Sequence, residues 1–196
     1  MNRIAQLDPT QATGKTRQQL DAVQGKLGVV PNLFRVLSNS PAALEGYLNF
    51  SGALAGGILN AKIREQIALA VAEMNYCGYC LSAHTYIGGK VGLNATEIAE
   101  ARKVAASEPR TEAILNLARS VVLQRGEISE TEFKAAREAK LTDAEIIETV
   151  ANVAVNIFTN YVNHVAQTVV DFPEVVPGDA EATAGACGSE SCGCSH

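Results

Sequence analysis

Tryptophan is missing from this 196-residue chain, and aromatic residues make up only 5 % of it. Few rings are therefore on hand for stacking against nucleobases. Positive charge is also scarce. Sixteen Lys and Arg face 21 Asp and Glu, a formal net charge of −5. Such a balance does not attract a phosphate backbone, and no nucleic-acid partner is expected. No run approaches the ~20 apolar residues of a membrane span; the best, from Ile67 to Ala72, stops at Glu73. The opening MNRIAQLDPTQATGKTRQQL is polar and has no apolar stretch of the signal-peptide kind. The expectation is a cytoplasmic protein with no membrane partner. Alternation of β-branched and polar residues is nearly absent as well, which leaves strands little support.

What is present suits one globular domain: 47 % hydrophobic and 19 % charged residues, enough at this length to bury a core and too apolar for wholesale disorder. Apolar residues recur at helical period almost throughout, and the predicted class is all-α. Residues 16–27 form an amphipathic helix that Gly28 ends. Pro31-Asn32 opens a turn into Leu33-Phe34. Ser40-Pro41 is an N-cap followed by proline at the first helical position, starting a helix to about Leu54. Asn60 caps a helix with Ile63, Ile67, Ala70, Val71 and Met74 on one face, and residues 75–78 interrupt it. The next helix carries Cys80, Leu81, His84 and Ile87 and ends at Gly88-Gly89. Further helices start at Asn94, stopping before Pro109, and span residues 111–124. Another begins at the capping box Ser129–Glu132, and a last long one at Thr142, with a break near Thr159. Phe158 and Tyr161 read as core, and His164 as a structural or interface residue.

Residues 61–68 (AKIREQIA) align without gaps on residues 144–151 (AEIIETVA). The same offset pairs Ala83 with Ala166 and Thr85 with Thr168, and sets Asn160 and Asn163 where Cys77 and Cys80 stand. We read two related helical hairpins in one bundle, the first with redox groups and the second without. That helical domain covers residues 1–172. From Pro173 the packing pattern is lost, and residues 173–196 read as a flexible, Cys-rich tail.

Five cysteines are an odd number for a disulfide framework. Cys77 and Cys80 form a CxxC, and Cys187, Cys192 and Cys194 crowd the last ten residues. With a helix starting near Gly78, the two central sulfurs fall within bonding range at its first turn, and His84 lies on the same face as Cys80. Unpaired N–H groups at that helix start favour a thiolate. Glu65 enters only conditionally. On an unbroken helix it would lie about 18 Å from Cys77 and point away; a chain break at residues 75–78 would let its helix fold back so that the carboxylate orients His84. Cys77, Cys80, His84 and Glu65 also form a candidate zinc set. Covalent haem attachment would need His where Leu81 stands. In the tail, Cys187, Cys192, Cys194 and His196 could ligate zinc or copper(I), supply a resolving thiol or electron relay, or be dispensable.

The string from Glu65 through Asn75-Tyr76-Cys77-Gly78-Tyr79-Cys80 to His84 resembles the alkylhydroperoxidase AhpD-like branch of the carboxymuconolactone decarboxylase family, in its peroxidase-related form. Pro31-Asn32-Leu33-Phe34 and the stretch from Leu141 to Asn160 are similar as well, so that the resemblance spans roughly residues 20–172. AhpD itself has His between the cysteines, where Tyr79 stands here. The resemblance implies an AhpD-like helical bundle that forms a homo-oligomer, a trimer or hexamer. It implies that Cys80 attacks a hydroperoxide and becomes a sulfenic acid, that Cys77 resolves it, and that His84 with Glu65 moves the proton. An external dithiol or lipoyl-type reductant protein then restores the pair without any cofactor. Tyr79 is expected as a pocket wall. The alternatives are a metal or metalloid binding protein using the tail, and a redox sensor without turnover.

Overall fold

The computed structural model describes residues 3–178. Among them are nine α-helices and no strand: α1 (Gly14–Leu27), α2 (Asn32–Leu37), α3 (Pro41–Ala55), α4 (Ala61–Met74), α5 (Gly78–Lys90), α6 (Ala95–Arg102), α7 (Pro109–Leu123), α8 (Glu130–Glu138) and α9 (Asp143–Ala166). No helix among these residues is long and apolar enough to cross a membrane.

The helix starts follow from side-chain chemistry. The first N–H groups of a helix lack partners within it. Ser40 accepts from Ala43 N, and Asn60 from Ile63 N. Asn94 with Glu97, Ser129 with Glu132 and Thr142 with Glu145 close reciprocal capping boxes. At the other end of α1, Gly28 takes φ +75°, a conformation that costs glycine little.

Helix α4 is the axis of the molecule. Its residues from Gln66 to Ala72 are buried on every side, the pattern of a helix wrapped by others. Helices α5, α6, α7 and α9 pack around it, and Leu69, Leu81, Ile114, Leu115 and Val153 fill the space between them. Helix α9, about 36 Å long at 1.5 Å per residue, lies against α4, α5 and α7.

Several expectations are corrected. Residues 32–37 are a short helix rather than a turn, because Leu33, Val36 and Leu37 all find buried places. Helix α6 does stop before Pro109 as expected, with Arg102 its last residue and Val104 at φ +59° turning the chain. Helix α5 runs through Gly88-Gly89 to Lys90. Gly88 is there for close approach, since a Cβ would stand 3.2 Å from Leu93 Cδ1. Helix α9 does not break at Thr159, whose hydroxyl donates to Asn156 O at 3.0 Å and stays within the helix. The second copy of the repeat is thus one straight helix where the first copy turns. Phe158 and Tyr161 are not core residues. They are 38 % and 57 % exposed and form, with Ile147, Val150 and Val165, an apolar stripe on the outer face of α9.

Residues 173–178 fall in the segment expected to be tail, yet Val175 N donates to Ser82 Oγ and Arg102 Nη2 to Val176 O. The tail ligand candidates Cys187, Cys192, Cys194 and His196 lie outside the described residues.

Candidate active site

The site is made by the corner between α4 and α5. Tyr76 adopts φ +53°, the left-handed region that reverses a chain at a helix end. Tyr76 N bonds to Glu73 O at 3.0 Å and Cys77 N to Ala72 O at 2.9 Å, closing α4. Two groups of α9 hold the corner: Asn75 Nδ2 donates to Asn160 Oδ1 at 2.9 Å, and His164 Nε2 lies 2.8 Å from Asn75 O. His164 therefore steadies this turn from outside.

Helix α5 leaves the corner with Cys77 as its N-cap, its sulfur accepting from Cys80 N at 3.3 Å. Cys80 sits one turn on, and both cysteines are free thiols, each 2 % exposed. Asn163 of α9 donates Nδ2 to Cys80 Sγ at 3.2 Å. The fold-back places Glu65 Oε2 2.7 Å from His84 Nδ1, with both side chains about one-fifth exposed. An acceptor at Nδ1 leaves Nε2 as the atom of the ring that exchanges a proton with its surroundings. The structure thus brings Cys77, Cys80, His84 and Glu65 into one neighbourhood.

The electrostatics separate the two sulfurs. Burial raises Cys80, but the hydrogen bond from Cys77, the His84 charge and the amides of Asn163 and Asn160 outweigh it and hold it down to about 7. Cys77 is pushed far up, first by that same hydrogen bond to Cys80, then by burial and the neighbouring thiolate charge. Burial opposes a charged His84 ring; the Glu65 carboxylate and then Cys80 overcome it and raise the imidazole. The resulting state is a Cys80 thiolate, a Cys77 thiol and a His84 that holds its proton more readily than usual. Below about pH 7 Cys80 is a thiol and reacts slowly; above it the thiolate dominates. Labelling with iodoacetamide is therefore expected to accelerate at Cys80 as pH rises through that range, with Cys77 lagging. Asn163→Leu is expected to move the Cys80 midpoint to higher pH, because an amide donor to the anion is lost; an unmoved midpoint would show that the bond does not hold the charge.

Tyr79, the chain neighbour of Cys80, lines neither of the cavities described below. Its hydroxyl accepts from Leu33 N at 3.0 Å, and its ring meets Phe172 edge-on at 5.9 Å. It ties α2 to α5, and burial raises its phenol.

A cavity of about 70 Å³ opens at the Glu65–His84 pair, lined also by Tyr47, Ser51, Leu54, Arg64, Ala68, Asn152, Val155 and Asn156. Tyr47 and Val155 separate it from an apolar groove of about 270 Å³ formed with Ala43, Gly46, Phe50, Ala154 and Phe158. Burial keeps the Tyr47 phenol neutral, pushed up to about 12. Tyr47, Arg64, Asn152 and Asn156 line this cavity and were not singled out from the sequence. One signal was there to find the two asparagines. Asn152, Asn156, Asn160 and Asn163 recur at helical spacing and are all buried, an unusual stripe for so polar a residue.

Among the described residues no three His, Cys, Asp or Glu side chains are arranged to hold a metal ion.

Residues 41–119 match the carboxymuconolactone decarboxylase family. Among solved structures, an uncharacterised peroxidase-related protein from Ralstonia eutropha JMP134, described as an alkylhydroperoxidase AhpD core, is 28 % identical; the match covers 87 % of this chain and 92 % of that one, with a TM-score of 0.76. A peroxidase-related protein from Silicibacter sp. TM1040 is 23 % identical over 85 % of this chain and 92 % of its own, with a TM-score of 0.73. The debrominase Bmp8 is 16 % identical over 92 % of this chain and 95 % of its own, with a TM-score of 0.74. The last two show the shared fold alone. No curated protein matches the chain significantly.

Proposed function

We propose, from the match of residues 41–119 to the carboxymuconolactone decarboxylase family and the likeness to an AhpD core, that the chain is a thiol-dependent peroxidase that reduces organic hydroperoxides through Cys80 and Cys77. The observation that carries the reading is the pairing of Glu65 Oε2 with His84 Nδ1 at 2.7 Å beside a sulfur whose thiolate is favoured. Neither a structural thiol pair nor a bare sensor needs an oriented proton carrier.

The steps balance as follows. The Cys80 thiolate attacks the terminal peroxide oxygen; the O–O bond breaks and the alkoxide takes a proton through His84 Nε2, leaving as alcohol. Cys80 is now a sulfenic acid. The Cys77 thiol gives its proton to the same relay as it attacks that sulfur, the S–O bond breaks, and the leaving hydroxide takes the proton from the relay and departs as water. The Cys77–Cys80 disulfide that remains is returned to two thiols by an external dithiol of the lipoyl kind through exchange. No bound cofactor takes part. The polar cavity at His84 suits the peroxide group, and the adjoining apolar groove suits an alkyl or aryl substituent. The apolar stripe on α9 supports a homo-oligomer, proposed as the trimer or hexamer implied by the resemblance. A reducing compartment, the cytoplasm, suits a pair that must be re-reduced each cycle.

The test is intact-mass analysis after one equivalent of cumene hydroperoxide. The expected product is a protein short of two hydrogens that dithiol restores, with steady hydroperoxide consumption lost in Cys80→Ser. Disulfide formation without consumption would sink the peroxidase reading and leave a sensor.

A further inference from the structure

Two polar atoms beside Cys80 have no part in the chemistry described so far. Asn160 Nδ2 and Asn163 Oδ1 are shielded from solvent and have no hydrogen-bond partner among the described residues. The two residues are 0 % and 4 % exposed. A buried polar atom without a partner is costly, and folded proteins keep few of them.

The other end of each amide fixes which atom is spare. Asn160 Oδ1 accepts from Asn75 Nδ2 at 2.9 Å, so its NH2 group is turned away from Asn75. Asn163 Nδ2 donates to Cys80 Sγ at 3.2 Å, so its oxygen is the free end. Three residues apart on α9, the two side chains are neighbours on one helix face. The Asn160 amide is close enough to the sulfur to help lower the Cys80 thiol. One spare donor and one spare acceptor are thus set around a single sulfur.

A hydroxyl group needs one of each. When the Cys80 thiolate takes the terminal oxygen of a hydroperoxide, an S–O bond forms and the O–O bond breaks. The O–O electron pair leaves on the alkoxide, and the transferred oxygen keeps its hydrogen. Cys80 then carries S–O–H, whose oxygen accepts and whose O–H donates. We propose that Asn160 and Asn163 are a cradle for this transferred oxygen, Asn160 Nδ2 donating to it and Asn163 Oδ1 accepting from its O–H, an assignment that rests on the peroxidase reading above. The oxygen gains these two bonds only as it reaches the sulfur. The cradle therefore favours the transition state and the sulfenic acid over the resting thiolate, which is the condition for a faster chemical step.

Asn160→Thr tests this in the full-length chain. Threonine has nearly the volume of asparagine, and within a helix its hydroxyl is spent on a carbonyl one turn back, as Thr149 Oγ1 donates to Glu145 O at 2.7 Å. Asn160→Ala, which adds no bulk, serves if the threonine variant does not fold. Two rates are measured at Cys80 by peptide mass spectrometry, oxidation by cumene hydroperoxide and alkylation by iodoacetamide. Both are taken at a pH well above each protein's own labelling midpoint, so that every sulfur compared is a thiolate. Alkylation needs the same access and the same anion but brings carbon, not oxygen, to the sulfur. The expected result is oxidation slowed by about 10²-fold, the usual loss for one oxyanion donor, with alkylation unchanged. A ratio of the two rates equal to or above that of the wild type, whether both rates fall together or neither does, overturns the cradle. A wild-type Cys80 that iodoacetamide labels but hydroperoxide leaves untouched overturns the peroxidase reading beneath it instead.

Discussion

Glu65→Gln is expected to slow hydroperoxide reduction by about 10²–10⁴-fold, the range that a positioned acid–base group supplies. The carboxylate lies 2.7 Å from His84 Nδ1 and is what overcomes burial to raise the imidazole. Glutamine keeps the shape and can still accept a hydrogen bond, but it carries no charge. The His84 pKa should therefore fall, and at neutral pH the ring becomes uncharged more often. The His84 charge is also one of the influences that hold Cys80 down, so the labelling midpoint of Cys80 should move to higher pH in the same variant. Peroxide consumption and iodoacetamide labelling, each followed against pH, check the two effects together. A merely structural Glu65 would lower the rate through unfolding and leave the Cys80 midpoint of the folded fraction where it was. An unchanged rate with an unchanged midpoint would remove Glu65 from the relay.

Arg102→Ala is expected to cost about 3–5 kcal/mol, the usual penalty for stripping one member from a buried ion pair. The Arg102 side chain is 0 % exposed and Glu73 14 %, with Nε and Oε2 2.8 Å apart. The loss leaves the Glu73 carboxylate with the Gly178 N–H and no counter-charge in that pair. Urea unfolding at pH 7 measures the change. The double variant Arg102→Met/Glu73→Leu should be less destabilised than the single one, because no uncompensated charge remains. A loss below about 1 kcal/mol in Arg102→Ala would put the pair in the class of surface bridges. Arg102 also donates to Val176 O, so the same substitution loosens the clasp on residues 175–178.

Much of the bundle was legible because helices announce themselves twice, by period and by cap. Ser40, Asn60, Asn94, Ser129 and Thr142 each occupy the N-cap that sequence reading assigned them. The break at residues 75–78 was legible from Asn and Gly chemistry, and it is the condition on which Glu65 joins His84. Other features left no such mark. Six-residue α2 is too short for a period. Apolar type alone does not reveal which side of a helix has a partner, so Phe158 and Tyr161 were assigned inward when they face out. Tyr79 sits in the motif, yet its ring is directed by α2 and Phe172, contacts distant in sequence. The docking of residues 175–178 depends on backbone groups, which every residue carries and which composition cannot register. The asparagines of α9 show the opposite failure. Asn160 and Asn163 were read only as the places where cysteines are missing in the second copy, when Asn163 donates to Cys80 and Asn160 accepts from Asn75.

Cys77 is the cap of α5 and, in the proposed cycle, also a reacting atom. Its sulfur accepts the Cys80 N–H while the pair is reduced, and a sulfur bound to a second sulfur is a poorer acceptor than one bearing a thiol or thiolate. Closing a Cys77–Cys80 bond in that cycle would therefore unlatch the first turn of the helix, at about 0.5–2 kcal/mol if a whole cap is forfeited. On that reading, oxidation would loosen the corner that shields the sulfurs, and reduction would restore it.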